Sequence, residues 1–312
     1  MIAAGLVTSE GEVLAQEVIP THQAGPGRAL ENLWFLLDRM VGEAKRQGLV
    51  LVAIGVGVPG SVETSAGTIG LDIPNVPELA GCALASLLKE RYGIDAFIDN
   101  DVNNLALDAY LFGVGRGTRS FVVLAVGTGV GGGVILDGEL LRGASGYGGE
   151  LGHMTINFDG RPCFCGSRGC LKTYISGPDI VAQAVERLPR YPSSLLSQSD
   201  PHALTPRHLF EAERSGDPLA VELVGDVCQA LGAGLAVIVN SLNPERLLLT
   251  GGVAESLQGH LPRILEWVRQ YAFAGALAGT EICCTPSEKQ STVRCGAALV
   301  VYETSIDLRK IG

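Results

Sequence analysis

The sequence predicts an α/β protein of two domains, and three observations carry that expectation. The chain has 312 residues, enough for about two domains of ordinary size. Short apolar, strand-like runs alternate with segments of helical periodicity, the pattern of α/β folds. Glycine is abundant, at 42 residues, and often ends the apolar runs, where a chain must turn. Hydrophobic residues make up 46% and charged residues 18%. That composition supplies packed cores and is not that of a disordered chain.

Ala3–Val7 and Val13–Ile19 read as strands joined by a turn around Glu10-Gly11. Ala29–Gln47 carries Leu30, Leu33, Trp34, Leu37, Met40 and Val41 at helical spacing. Val50–Val58 is a nearly continuous apolar run ending in Pro59-Gly60, as expected of a buried strand entering a loop. Leu84–Tyr92 predicts a helix, Ala96–Ile98 a short strand and Val102–Leu111 a further helix. Phe121–Val126 and Gly132–Leu136 are strands flanking a glycine loop. Pro178–Arg187, His208–Ser215 and Pro218–Val239 are helical, Arg246–Thr250 is a strand, and Cys295–Val301 begins a terminal helix. Ser193–Ser199, mostly polar, reads as a surface loop. No repeat recurs at a spacing of about 20–50 residues.

Charge excludes some functions. Formal net charge is −10, which argues against nucleic-acid binding by phosphate neutralisation. A phosphorylated ligand must instead be held by backbone N–H groups or a metal. Met1–Val7 lacks a basic leader, and glycine interrupts the apolar stretches before they reach about 18 residues. A cytoplasmic protein without a membrane partner is expected.

Eight cysteines are present, three of them between Cys163 and Cys170. His153 is followed by nine residues and then Cys-x-Cys-x4-Cys (Cys163, Cys165, Cys170). One imidazole and three thiolates fill a tetrahedral Zn²⁺ site, and a closed site is structural. Gly166 and Gly169 permit the tight turns it needs. The alternative is three unrelated buried thiols.

Three further motifs can each be read two ways. Val126-Gly127-Thr128-Gly129-Val130-Gly131-Gly132-Gly133 can bring backbone N–H groups to a phosphate, or can be a glycine-rich hairpin. Ile98-Asp99-Asn100-Asp101-Val102-Asn103-Asn104 can cap a helix, or can offer a carboxylate as general base. Asn240-Ser241-Leu242-Asn243-Pro244, leading through Leu247–Leu249 to Gly251-Gly252, can be a helix stop, a turn and a strand, or can shape a nucleotide pocket.

Together these motifs resemble the ROK family (repressors, open reading frames and sugar kinases), its glucokinase-like members in particular. Gly57-Val58-Pro59-Gly60, Pro74-Asn75-Val76-Pro77, Asn100-Asp101, Gly127–Gly133, Glu150-Leu151-Gly152-His153, the cysteine cluster and Gly251-Gly252 fall in the family's order along nearly the whole chain. The resemblance implies an actin-like two-domain sugar kinase fold (ribonuclease H-like domains) closing over a cleft. Residues 1–112 form the small domain, completed by the helix 296–312, and residues 113–295 the large one. It implies phosphoryl transfer from ATP, with Mg²⁺, to a hexose hydroxyl: the 6-hydroxyl of glucose or of a related or N-acetylated hexose. Asp101 is the implied base. Gly60, Asn75, Asn100, Glu150 and His153 are the implied sugar ligands, His153 using its other ring nitrogen on the zinc. Gly127, Thr128, Gly129 and Gly131 are implied to hold ATP phosphates, and Gly251, Gly252 and Val253 to line the adenosine pocket. A homodimer or homotetramer is implied.

Two departures from the family pattern stand out. The family's opening strand, ending in Asp-x-Gly-Gly-Thr, does not precede Ile2–Val7. The expectation is that Met1 is internal to a longer protein and that the small-domain sheet has a gap. A catalytically impaired sugar-binding sensor is the competing reading. The family also places Glu two residues after the last zinc cysteine, where this chain has Lys172. Either the substrate differs, carrying an acidic or N-acyl group, or sugar binding is weakened, or Lys172 points to solvent and another residue covers that hydroxyl.

Overall fold

The computed structural model describes residues 1–22, 25–73, 75–198, 200–286 and 291–311, with the side chains of 306–311 outside the description. Pro74, Ser199 and Gly312, each part of an expectation above, lie outside the described residues. The chain divides into two compact units. Unit 1 comprises Met1–Thr118, Leu140–Gly148 and Glu288–Gly312; unit 2 comprises Arg119–Glu139 and Gly149–Ser287.

In unit 1, β1 (Ile2–Val7) pairs antiparallel with β2 (Val13–Ile19). Helix α1 (Ala29–Arg46) lays Leu36, Met40 and Ala44 against Ala4, Leu6 and Ile19 of these strands. Strand β3 (Ala53–Val58) is followed by a small hairpin of β4 (Val62–Glu63) and β5 (Thr68–Ile69) and by helix α2 (Leu84–Tyr92). Strand β6 (Asp95–Asn100) runs parallel to β3 and passes directly into helix α3 (Asp101–Leu111). The described strands of unit 1 therefore form separate two-stranded ladders, β1–β2 and β3–β6, beside the small hairpin.

Two strand expectations shift. The run from Val50 becomes a strand only at Ala53, because β6 begins opposite that residue; Val50 and Val52 are exposed. Conversely, six-residue pairing with β3 draws Asp99 and Asn100 into β6, beyond the short apolar strand expected at Ala96–Ile98. The terminal helix Ser291–Ile311 packs on β3 and α3. Its Gly296 meets Gly55 so closely that a Cβ on Gly55 would lie 1.9 Å from the Gly296 carbonyl oxygen. Arg294 clamps the buried Asp108 of α3 through Nε at 2.5 Å and Nη2 at 3.0 Å.

Unit 2 is built on β7 (Phe121–Val126), β8 (Val130–Leu136), β9 (Glu139–Leu140), β10 (Arg246–Thr250) and β11 (Glu281–Cys284), in the order β11-β10-β7-β8-β9. β7 and β8 are antiparallel, whereas β10 is parallel to both β7 and β11. The helices are α4 (Lys172–Ile175), α5 (Gly177–Arg187), α6 (Pro206–Arg214), α7 (Pro218–Leu242), α8 (Gly252–Leu257), α9 (Leu261–Tyr271) and α10 (Ala274–Ala278). Phe121, Val122, Val123, Leu124 and Val126 of β7 are fully buried, as expected for a strand covered on both faces. α7 is long and apolar enough to cross a membrane, but most of it is buried inside unit 2. Its glycines do not break it: Gly232 and Gly234 are where Trp267 and Leu171 pack against its surface.

The polar segment read as a surface loop is partly interior. Leu195–Gln198 forms a 3-10 turn with Leu196 buried, and Ser194 is also buried. The reason is Asp217, the buried N-cap of α7. Its carboxylate accepts the Ala220 N–H at 2.9 Å and reaches across to the Leu195 N–H at 2.6 Å. Burial raises the Asp217 carboxyl, but these hydrogen bonds outweigh it and hold the group below the usual carboxylate range. Asp217→Ala should therefore lower stability by about 1–3 kcal/mol at neutral pH in denaturant titrations, through a lost cap and an unpaired N–H. Because the folded pKa is depressed, the contribution is complete above the ordinary carboxylate value of about 3.9 and is lost as pH falls toward the lowered one. The penalty of Asp217→Ala should shrink over that acid window.

Candidate functional site

Unit 1 places Asn100 and Asp101 at the strand-to-helix junction between β6 and α3. Asn100 is the N-cap: its side-chain oxygen accepts the N–H groups of Val102 at 2.9 Å and Asn103 at 3.2 Å. Its amide donates to the Gly60 carbonyl at 3.0 Å, so two of the implied sugar ligands meet here. Gly60 has φ +91°, and a Cβ there would lie 2.3 Å from the Asp72 carbonyl oxygen, so this turn requires glycine. Asp101 follows at the first helical position and is exposed. Desolvation by the protein around it nevertheless raises its carboxyl above the ordinary value, against the opposing N–H groups of Val102 and its own residue. Gly57 lets this helix start approach β3, since a Cβ there would lie 3.2 Å from the Asp101 Cα. Asn75 is exposed, in a turn ahead of the 3-10 turn Pro77–Leu79.

In unit 2, His153, Cys163, Cys165 and Cys170 come together with their ligand atoms all within 4.8 Å of one another. His153 Nδ1 is 3.5 Å from the Cys163 sulfur, and the Cys165 and Cys170 sulfurs are 3.7 Å apart. A tetrahedron with Zn–S bonds of about 2.3 Å has edges of about 3.8 Å, so the donor set fits a zinc ion. The knuckle forms because the Cys163 N–H donates to the Ser167 carbonyl at 2.8 Å and the Gly166 N–H returns to the Cys163 carbonyl at 3.0 Å. Gly169 has no alternative: at φ +66°, a Cβ would lie 1.6 Å from the Asn157 carbonyl oxygen. Burial and the neighbouring sulfurs push the Cys170 thiol up to about 12, whereas the Ser167 N–H lowers Cys165. A divalent cation would stabilise all three as thiolates.

Lys172 does not point freely into solvent. Its ammonium pairs with Asp179 at 3.1 Å and lies 4.8 Å from the centre of the Phe164 ring, which meets His153 edge-on. Asp179 also bonds Ser176, the N-cap of α5. Glu150 is exposed, and its carbonyl accepts the His153 N–H at 3.0 Å.

The glycine motif is a tight hairpin between β7 and β8. The Gly127 N–H donates to Gly129 at 2.9 Å, and the Gly177 N–H to Gly127 at 2.8 Å. Gly131, Gly132 and Gly133 lie inside β8, paired with Ala125, Leu124 and Val123. Beside the hairpin is a cavity of about 1030 Å³ lined by Gly127, Thr128, Gly252 and Val253 among others. Gly129, Gly131 and Gly251 are not in that wall; Gly251 instead lets the end of β10 close on β7, a Cβ there falling 2.5 Å from the Val126 carbonyl oxygen. Much of the rest of the wall, Pro178 and Val181 of α5 with Leu204, Pro206, Phe210 and the charged Arg207, Glu211 and Arg214 around α6, escaped the sequence reading. Its local signals are only the two prolines that open these helices. Asn240 and Asn243 serve as a helix stop: Asn243 ends α7 with φ 43° and bonds the Ala276 carbonyl at 3.0 Å, and Asn240 accepts the Phe273 N–H at 2.7 Å.

Comparison with known proteins adds the lineage. A profile described as the ROK family matches residues 1–304. A glucokinase from Halalkalibacterium halodurans is 31% identical over 90% of this chain and 86% of its own length. A glucokinase from Thermotoga maritima is 33% identical over 80% of this chain and 79% of its own. Among solved structures, the ROK hexokinase of Thermus thermophilus superposes with a TM-score of 0.80 at 32% identity, covering 98% of this chain and 95% of that one. A ROK-family transcriptional regulator, a homologue of the E. coli Mlc protein, gives 0.85 at 29% identity over 98% and 77%. A Streptomyces griseus ROK glucokinase in complex with glucose and AMPPNP gives 0.74 at 27% identity over 95% and 94%. The match spans kinase and regulator alike and nearly the whole sequence, and the chain belongs to the ROK family.

Proposed function

We propose that the protein is an ATP-dependent hexose kinase acting on a hydroxyl of glucose or of a related or N-acetylated hexose. The observation that carries this reading is Asp101: an exposed carboxylate with a raised pKa, at the first turn of a helix whose preceding residue is locked by three hydrogen bonds. A base raised toward neutrality accepts the proton of a hydroxyl more readily than an ordinary carboxylate. The glucose and AMPPNP bound in the Streptomyces griseus relative support the substrate pair.

Asp101 takes the proton of the attacking hydroxyl. The hydroxyl oxygen forms a bond to the γ-phosphorus as the bond to the β-phosphate oxygen breaks, leaving ADP and the sugar phosphate. Mg²⁺ bound with ATP supplies charge neutralisation for the phosphates. The cavity of unit 2, with Gly127, Thr128, Gly252 and Val253 in its wall, takes the nucleotide. His153, Cys163, Cys165 and Cys170 hold a structural Zn²⁺ through His153 Nδ1, which fixes the ring and leaves Nε2 to address a sugar hydroxyl.

A sugar-binding sensor is the second reading. It is favoured by the regulator, whose TM-score of 0.85 exceeds the 0.80 of the hexokinase, and by Lys172, a cation committed to Asp179 at a position where the family places a carboxylate. Isothermal titration separates the two, since the sensor binds a hexose without measurable ATP affinity.

Asp101→Asn should lower kcat by about 10²–10⁴-fold on whichever hexose the protein phosphorylates. In the wild type, activity should fall as pH falls through the raised Asp101 value, because the base works deprotonated. The acid limb should therefore sit above the ordinary carboxylate value of about 3.9; a limb at or below it contradicts the assignment.

Purified protein should contain zinc at one ion per chain by elemental analysis. Cys163→Ser should lose the metal, the melting temperature should fall, and sugar affinity should drop by about tenfold or more through the freed imidazole. Metal-free protein of unchanged stability would remove the site from the account.

A further inference from the structure

Asp99 sits immediately before the Asn100-Asp101 pair and is only 2% exposed. A carboxylate removed from water is costly unless every oxygen finds a donor and the charge finds a partner. Oδ1 accepts the Asn100 N–H at 2.7 Å and the Asn103 side-chain amide at 2.9 Å. Oδ2 accepts Nε of Arg142 at 2.7 Å. The three donors come from the turn itself, from the first turn of α3, and from the segment Leu140–Gly148, which is distant in sequence but belongs to the same unit.

Arg142 is itself held in place. Its Nη2 pairs with Glu303 of the terminal helix, and its guanidinium lies 5.7 Å from the centre of the Tyr302 ring. The Tyr302 hydroxyl accepts the Leu140 N–H at 2.8 Å, fixing the start of the segment on the same helix. Burial lowers the Arg142 pKa, but Asp99 and Glu303 outweigh it and raise the group above its ordinary value. The guanidinium thus stays charged and cannot swing away from Asp99 without breaking its other contacts.

We infer that Arg142 is a positioning residue: through Asp99 it fixes the turn that presents Asn100 and Asp101. The inference rests on the reading of Asp101 as base. Without Arg142, Oδ2 of Asp99 is buried with no donor. The carboxylate must then rotate to find a donor or water, which disturbs the bond to the Asn100 N–H. Asp101 is the next residue along the chain, so the disturbance reaches the base directly. A misplacement of about 1 Å at a reacting group can cost about 100-fold in rate.

The test uses the full chain carrying Arg142→Met, Arg142→Lys, or Arg142→Met with Asp99→Asn. Arg39→Ala, which breaks an exposed ion pair of unit 1 with Glu17, is the control. Each is read by hexose kinetics, melting temperature and amide hydrogen exchange in residues 98–104. Arg142→Met should lower kcat by about 10–100-fold, with exchange at the Asn100 amide raised and ATP KM unchanged. Arg142→Lys should lose less, because its ammonium still meets the carboxylate. Adding Asp99→Asn should restore part of the lost kcat, because the neutral side chain leaves no buried charge unpaired; a merely structural loss would compound instead. Unchanged exchange in 98–104 overturns the inference, whatever the kinetics. So does a kcat equal to that of the Arg39→Ala control, or a double variant slower than Arg142→Met alone. If Arg142→Met does not fold, Arg142→Lys carries the same comparisons. Should the wild type phosphorylate no hexose, the kinase reading fails by itself, and the exchange data still decide whether Arg142 positions the turn.

Discussion

The functional segments of both units depend on backbones that meet without side chains between them. In unit 1, β3 touches the terminal helix at Gly55 and the start of α3 at Gly57, two residues apart and therefore on one face of the strand. A Cβ at Gly55 would sit 1.9 Å from the Gly296 carbonyl oxygen, well inside van der Waals contact. In unit 2, Gly251 closes β10 on β7 and Gly132 closes β8 on Gly149. The first of these contacts stands just past the end of β10, the second inside β8. Open α/β sheets offer ligands their strand ends, and here glycine lets those ends converge.

Convergence of this kind concentrates polar groups in apolar surroundings, so satisfaction becomes the second constraint. Asp99 and Asp108 meet it with arginines, and Asp217 with two backbone N–H groups. Asn104, fully buried one turn after Asp101, is different: among the described residues neither atom of its side-chain amide has a partner. It lies where a Cβ on Gly57 would come within 3.0 Å of its amide nitrogen. Burying an unpaired amide costs about 1–3 kcal/mol. The helix that carries Asp101 therefore spends stability at the same turn where it presents a carboxylate of raised pKa, a pairing common at functional sites.

Much of this was legible in the sequence because its signals are local. The His153 and Cys163–Cys170 spacing states its chemistry within eighteen residues of chain, and the structure brings those four side chains together. The helices α1, α2 and α7 stand close to where the sequence places them, α1 on its apolar periodicity. What sequence reading missed depends on contacts between distant segments. The extension of β6 through Asp99 is set by its register with β3. Leu196 is interior because Asp217, more than twenty residues later, ties down the neighbouring Leu195 N–H. Arg142 carries no local mark, and its role follows only when residues 99, 142 and 303 are seen to meet. The cavity wall from α5 and α6 mixes apolar residues with Arg207, Glu211 and Arg214, and nothing local marks them as lining a cavity.

On the kinase reading, electrostatics constrain how a nucleotide can be held. With a net charge of −10, the long-range field repels a polyanion, so attraction must be short-ranged. The hairpin at Gly127–Gly129 suits this: a Cβ at either glycine would meet nothing within 4 Å, which leaves the backbone open to approach. The apolar wall of Val181, Leu204 and Phe210 offers a surface for a flat, uncharged base, whose burial is driven by surface area and not by charge. Binding energy drawn from the base and from fixed N–H dipoles also varies little with salt, because it owes little to screened charge. The acidic surface would therefore treat the two ends of a nucleotide differently. On the kinase reading, the base would be held by burial, and the phosphates by backbone N–H groups, a bound cation and the Arg207 and Arg214 side chains that also line the cavity.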